Sequence, residues 1–177
     1  MIRALCALAI LLAWPAGARV LEGQITAQDG AGRFVLLPEP PMAVGEDIFD
    51  SPDLIAFDEA QLVVLEQGLR LDTGGLIPAG TSVALHSVVF DGMGGRQRGW
   101  VRFSAPILGL VMTDDALAAT DALAGVGVLY LGHRMRGLEP GDRAWIDPGD
   151  RARLWVDWAG SSPGDHLRVI TQAAPLM

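Results

Sequence analysis

The 177-residue chain contains no lysine, which excludes a P-loop lysine, a Schiff-base lysine and a Ser-Lys dyad. It has one cysteine, Cys6, so neither an internal disulfide nor a Cys-based zinc site can form. Its three histidines, His86, His133 and His166, lie far apart and give no His-x-x-x-His pair. Positive charge is scarce and carried by arginine alone: 13 Arg stand against 21 Asp and Glu, a net charge of −8. An acidic chain without a basic cluster neutralises phosphates poorly, so no nucleic-acid partner is expected. No apolar run of membrane length follows residue 18, so no membrane span is expected in the mature chain. Nothing in the composition calls for a cofactor.

What is present begins with the order of a secretory signal. Arg3 precedes an apolar run from Ala4 to Trp14, Pro15 breaks it, and Ala16-Gly17-Ala18 offers a small-x-small cleavage site. Residues 1–18 are therefore expected to be removed near Ala18, delivering the protein to the periplasm or medium. The remaining 159 residues carry 12 Arg against 21 acids, a charge of −9, and no cysteine. One domain over 19–177 is long enough to hold a core without disulfides.

Short alternating runs separated by turn residues predict an all-β chain: an antiparallel β-sandwich, jelly-roll-like, with one short helix over about 113–124. Val20–Thr26 and Arg33–Leu37 flank Asp29-Gly30-Ala31-Gly32 and read as a hairpin. The acidic stretch 42–60 has weak periodicity and reads as a long loop. Thr81–Phe90, Gly99–Ser104 and Pro106–Met112 read as strands, with Val101 and Phe103 on one face and Trp100 and Arg102 on the other. Thr113 is the expected helix cap, and Gly125 the stop. Pro-Gly-Asp recurs at 140–142, 148–150 and 163–165, a spelling suited to type II turns. Arg143–Ile146, Ala152–Trp158 and His166–Thr171 are the strands between these turns.

The run Phe57-Asp58-Glu59-Ala60-Gln61, then Leu71-Asp72, then Ile77-Pro78-Ala79-Gly80-Thr81 before His86 resembles a group of exported bacterial proteins of unassigned role. So do Pro106-Ile107-Leu108-Gly109-Leu110, Tyr130, Arg136-Gly137-Leu138-Glu139 and Ser161-Ser162-Pro163-Gly164-Asp165 leading to Arg168-Val169-Ile170-Thr171. Members often carry a PEP-CTERM sorting tail. The resemblance covers roughly 57–171 and implies an exported β-domain, not an activity. Gln172–Met177 shows no such tail, and Pro38-Glu39-Pro40 lies far from the C-terminus, so release is expected over anchoring.

Five candidate chemistries follow. Ser87 or Ser161 with His86, His133 or His166 could form a nucleophile and base, but Ser87 and His86 are adjacent on one strand and should face opposite ways. The three histidines could bind a metal only by converging in space. Asp142, Asp147, Asp150 and Asp165 cluster at turns and could give calcium its oxygen ligands, although turn aspartates are equally explained by bonds to their own backbone. Asp157, between Trp155 and Trp158, is the one acid among aromatics, with Arg153 its expected partner. Trp100 with Arg98 and Arg102, and Trp155 with Arg153 and Asp157, could form Arg/Trp ladders suited to sugar rings if those faces are wet. The expectation is a non-catalytic binding or structural module with a polysaccharide or an envelope protein as partner. A carbohydrate-binding module using the ladders is the alternative. A cleft lined by two acids, or by Ser with His, would indicate a hydrolase.

Overall fold

Strict alternation along two strands sets the architecture. In Arg96–Phe103, Gln97, Gly99, Val101 and Phe103 are buried while Arg96, Arg98 and Arg102 are exposed. In Arg153–Ala159, Leu154, Val156 and Trp158 are buried and the intervening residues half-buried. A period of two with one apolar face specifies a sheet covering a core on one side. A computed structural model describes residues 17–45, 47–125, 127–132, 134–160 and 164–173. The signal-like run through Ala16, together with His133, Ser161, Ser162 and Pro163, lies outside the described residues.

The strands are β1 (Val20–Gln28), β2 (Phe34–Leu36), β3 (Ala43–Val44), β4 (Ser51–Val64), β5 (Leu69–Arg70), β6 (Leu76–Ile77), β7 (Ser82–Asp91), β8 (Arg96–Phe103), β9 (Ile107–Val111), β10 (Leu129–Tyr130), β11 (Arg143–Ile146), β12 (Arg153–Ala159) and β13 (Asp165–Gln172), with helix α1 (Asp114–Thr120) after β9. Two sheets, β1-β8-β12-β11 and β2-β4-β7-β13-β9, form an all-β sandwich. Their facing sides enclose Leu54, Ala56, Val88, Phe90, Val101, Phe103, Leu154, Val156, Trp158, Leu167 and Val169.

The five-stranded sheet is buried on its other face as well. There α1 lays Leu117 against Val83, Leu85, Val111 and Ile170, and Val44 and Tyr130 cover Ile55, Phe57 and Val89. This third layer explains why β7 and β13 are buried nearly throughout. It also explains several departures from expectation. Residues 51–60 are not loop but most of β4: their acids Asp58 and Glu59 find partners in the interior. Val20–Thr26 and Arg33–Leu37 do not form a hairpin. β1 pairs with β8 in one sheet and β2 runs parallel to β4 in the other. Two bonds pin the crossing, from Asp29 N to Arg96 O and from Arg33 N to Asp53 Oδ1. The helix ends earlier than expected, passing into a 3-10 turn over Asp121–Leu123, and Thr113 gives it no side-chain cap because its hydroxyl donates to Asp72 instead. The Pro-Gly-Asp turns also differ. Gly141 and Gly164 have φ of 111° and 85°, but Gly149 is not in the positive-φ region. Its N–H is bound by Asp147 Oδ1 at 2.8 Å.

Candidate functional site

The outer face of the four-stranded sheet carries the sequence-predicted residues in register. Trp100 pairs with Gln24 on one side and Trp155 on the other, and Trp155 pairs with Trp145. Three indoles thus form one row across β8, β12 and β11. The neighbouring rows hold Arg102 beside Arg153, and Arg98 beside Asp157 beside Arg143. Cross-strand neighbours on one face are close enough to interact, and here they do. The Trp145 and Trp155 rings are parallel within 9° at 6.1 Å between centroids. The Arg98 guanidinium straddles them, 5.7 Å from one ring and 5.8 Å from the other, and Arg153 sits 5.0 Å from the Trp100 ring.

The ladder is therefore built, but most of it is spoken for. Trp155 has Trp145 and Arg98 against its ring, and its indole N–H donates to Asp147 Oδ2 at 2.9 Å. That bond, with further ones from Gly149 and Asp150 N–H and the nearby Arg153, holds the Asp147 carboxyl below the usual carboxylate range. Trp158 is fully buried. The expected Arg153–Asp157 pair does not form. Asp157 is bound by Arg96 at 2.9 Å, while Arg153 reaches Asp147 and Asp150 at 3.7 Å, because its stem turns along the strand towards the β11–β12 turn and over Trp100. Arg102 pairs with Asp150 at 3.3 Å. Trp145, on the edge strand, differs. It borders a groove of about 710 Å³ whose wall also includes Arg98, Arg143, Asp157, Asp142 and Glu139.

A second cluster, unforeseen as a unit, lies between the five-stranded sheet and α1. Arg168 donates Nε to Glu59 Oε2 at 2.6 Å, and one terminal nitrogen to Glu59 Oε1 and Asp121 Oδ1. Its other terminal nitrogen bonds Thr120 Oγ1 and Leu117 O. Glu59 Oε1 also accepts from Ser87 Oγ at 2.6 Å and Tyr130 Oη at 2.7 Å. Arg136 closes the group on Asp121 at 2.9 Å, and both guanidinium groups lie against the Tyr130 ring, at 5.2 Å and 5.0 Å from its centroid. Burial alone would raise the Glu59 carboxyl, but the Arg168 charge outweighs it and holds Glu59 below the usual range. Burial likewise disfavours charge on Arg168, and Glu59 more than reverses this. Tyr130 is raised by burial and then by Glu59.

This cluster contains the one Ser–His contact among the described candidates: Ser87 Oγ lies 2.7 Å from His166 Nε2. Ser87 donates to Glu59, so its oxygen accepts from the imidazole. Burial holds His166 down to about 3, and its Nδ1 has no hydrogen-bond partner. Ser87 and His166 are 0% and 1% exposed, so this pair lies in the interior and not on a cleft wall. His86 faces the opposite side of the sheet, as alternation requires, between Asp58 at 2.6 Å and Thr171 at 2.9 Å.

Gly160-Ser161-Ser162-Pro163-Gly164 also spells Gly-x-Ser-x-Gly. Ser162 is outside the described residues, and the segment joins β12 to β13 instead of turning from a strand into a helix, the context that exposes such a nucleophile. Of the calcium candidates, Asp147 and Asp150 are satisfied by turn N–H groups and arginines. Asp142 binds Ala159 N through Oδ1 only. No three His, Cys, Asp or Glu side chains converge to hold a metal among the described residues. Nor, among them, is any helix long and apolar enough to cross a membrane. Comparison with protein-family models, with curated proteins and with solved structures gave no match.

Proposed function

We propose that this chain is an exported, non-catalytic binding module that docks a polysaccharide in the groove beside Trp145. The observation that carries the reading is that the indole row ends at this groove, where an aromatic edge meets both donors and acceptors. Arg98 and Arg143 offer N–H groups. Asp142, Asp157 and Glu139 offer carboxylates. Sugars present apolar C–H faces with hydroxyls at their rims, and this mixture matches both. Fixed aromatic and arginine positions also lessen the ordering cost of binding. The signal-like N-terminus and the resemblance to exported β-domains support a periplasmic or extracellular setting.

Tryptophan fluorescence titrated with a panel of soluble polysaccharides tests the reading. A saturable change that Trp145→Ala lowers at least about tenfold in affinity, the loss of one buried aromatic contact, is expected. Unchanged spectra across the panel would overturn it.

A glycosidase is the second reading, favoured by the three carboxylates on the groove wall. It is weaker because Asp157 is neutralised by Arg96 and Asp142 is turned inward on one oxygen. Release of reducing ends that Asp157→Asn abolishes would establish it.

A further inference from the structure

Among the described residues, both oxygens of Asp165 and Oδ2 of Asp142 are buried with no hydrogen bond of good geometry, and only the Glu139 main-chain N–H approaches Asp165 as a donor. Asp165 is 1% exposed. Its side chain leaves β13 on the face that packs against the four-stranded sheet, as Leu167 and Val169 do. Asp142 precedes β11 in that opposite sheet, and its carboxyl is directed at Asp165, with Glu139 near both. The chain before Asp142 and the start of β13 are tied together by bonds from Ala159 N to Asp142 Oδ1 and from His166 N to Arg136 O.

Elsewhere the turn aspartates are saturated. Asp147 takes N–H groups from Trp155, Gly149 and Asp150, and Asp150 takes one N–H together with two arginines. At Asp142 and Asp165 only Asp142 Oδ1 accepts a hydrogen bond of good geometry, from Ala159 N–H. An ionised carboxylate buried without a partner costs several kcal/mol, so such a pair calls for a bound cation or a shared proton.

We infer that Asp142 and Asp165 hold a divalent cation, calcium by preference, between the two sheets at the groove end of the sandwich. The free donors are all hard oxygens, which suits calcium or magnesium and not zinc. Calcium tolerates an irregular shell completed by main-chain carbonyls and water, whereas magnesium demands near-octahedral order. Asp142 also lines the groove, which gives the ion a route in. The ion shares Asp142 with the groove wall, but its binding requires no glycan, so the calcium test stands whether or not docking beside Trp145 occurs.

The test uses the full chain, stripped with a chelator, dialysed and titrated with calcium chloride by calorimetry. One equivalent should bind with Kd of about 10⁻⁴ to 10⁻³ M, the range of extracellular calcium modules. At about 10 mM calcium the Tm should rise by about 3–6 °C or more. Asp165→Asn should abolish both effects, and Asp150→Asn should leave both intact. Should Asp165→Asn not fold, Asp142→Asn must weaken binding at least about tenfold. No heat and no Tm shift in the wild-type chain would overturn the inference and leave a shared proton as the occupant. A calcium response that survives in the folded Asp165→Asn variant, or in Asp142→Asn, would overturn it too.

Discussion

Replacing Glu59 with glutamine changes little in shape and much in charge. The Glu59 carboxylate is enclosed and accepts four donated bonds, two of them from Arg168, whose side chain has no solvent exposure. Glutamine keeps one acceptor oxygen but turns an NH₂ towards donors. Breaking a buried pair by removing one partner costs about 3–5 kcal/mol, because the remaining charge is stranded. Asp121 still touches Arg168 at 3.1 Å and is partly exposed, which places the expected loss near the lower limit, about 3 kcal/mol. With a urea m-value of about 2 kcal/mol/M, the midpoint should fall by about 1.5 M. Buried Trp158 provides the fluorescence signal. The double variant Glu59→Leu with Arg168→Met should lose less than Glu59→Gln alone, since a well-packed apolar pair removes both charges at once. A loss under about 1 kcal/mol for Glu59→Gln would refute the reasoning, as would a double variant whose loss is the sum of the two single ones.

Two further perturbations probe the fold. His166 stays neutral when folded because burial holds its pKa at about 3, whereas an unfolded histidine titrates near 6.5. The unfolded state therefore binds the extra proton, and this stabilising contribution is present above about pH 6.5 and lost as pH falls towards 3. Urea midpoints for the wild type and His166→Asn, taken at pH 7 and pH 4.5, should show the wild type losing about 2–3 kcal/mol relative to the variant; a pH-independent difference would contradict the assignment. Gly99 lies where β1 crosses β8, and a Cβ there would come within 2.7 Å of Gln24 O and 2.9 Å of Leu54 Cδ2. Gly99→Ala should cost about 1–3 kcal/mol by calorimetry, and an unchanged Tm would show that the strands can part there.

Where one face of a strand meets solvent, the sequence is readable. Arg96–Phe103 and Arg153–Ala159 alternate cleanly, and they place Trp100, Trp155 and their arginines on the outer face. Where both faces are covered, alternation fades. Residues 51–60 look like an acidic loop because Asp58 and Glu59 interrupt an apolar run, yet each answers a partner far along the chain: His86 for Asp58, and Arg168, 109 residues away, for Glu59. Pairings at that range leave no local trace. A charge set inside a run such as Leu54–Ala60, or Arg168 amid Leu167, Val169 and Ile170, is the only hint of a buried cluster. The arginine partners on the outer face are set by side-chain reach: a shared face of β12 favoured Arg153–Asp157, but the two lie four residues apart along the strand, and Arg96 on neighbouring β8 is closer. That Trp145 would border a groove follows from its place on the edge strand, which strand prediction does not supply.

Docking beside Trp145 is tested most directly by the indole N–H resonances of the ¹⁵N-labelled chain during titration with a polysaccharide that alters its fluorescence. The account predicts that the Trp145 signal moves and saturates, that Trp155 follows more weakly through the stacked pair, and that buried Trp158 stays fixed. Shifts centred on Trp158, or equal shifts at every indole, would contradict it.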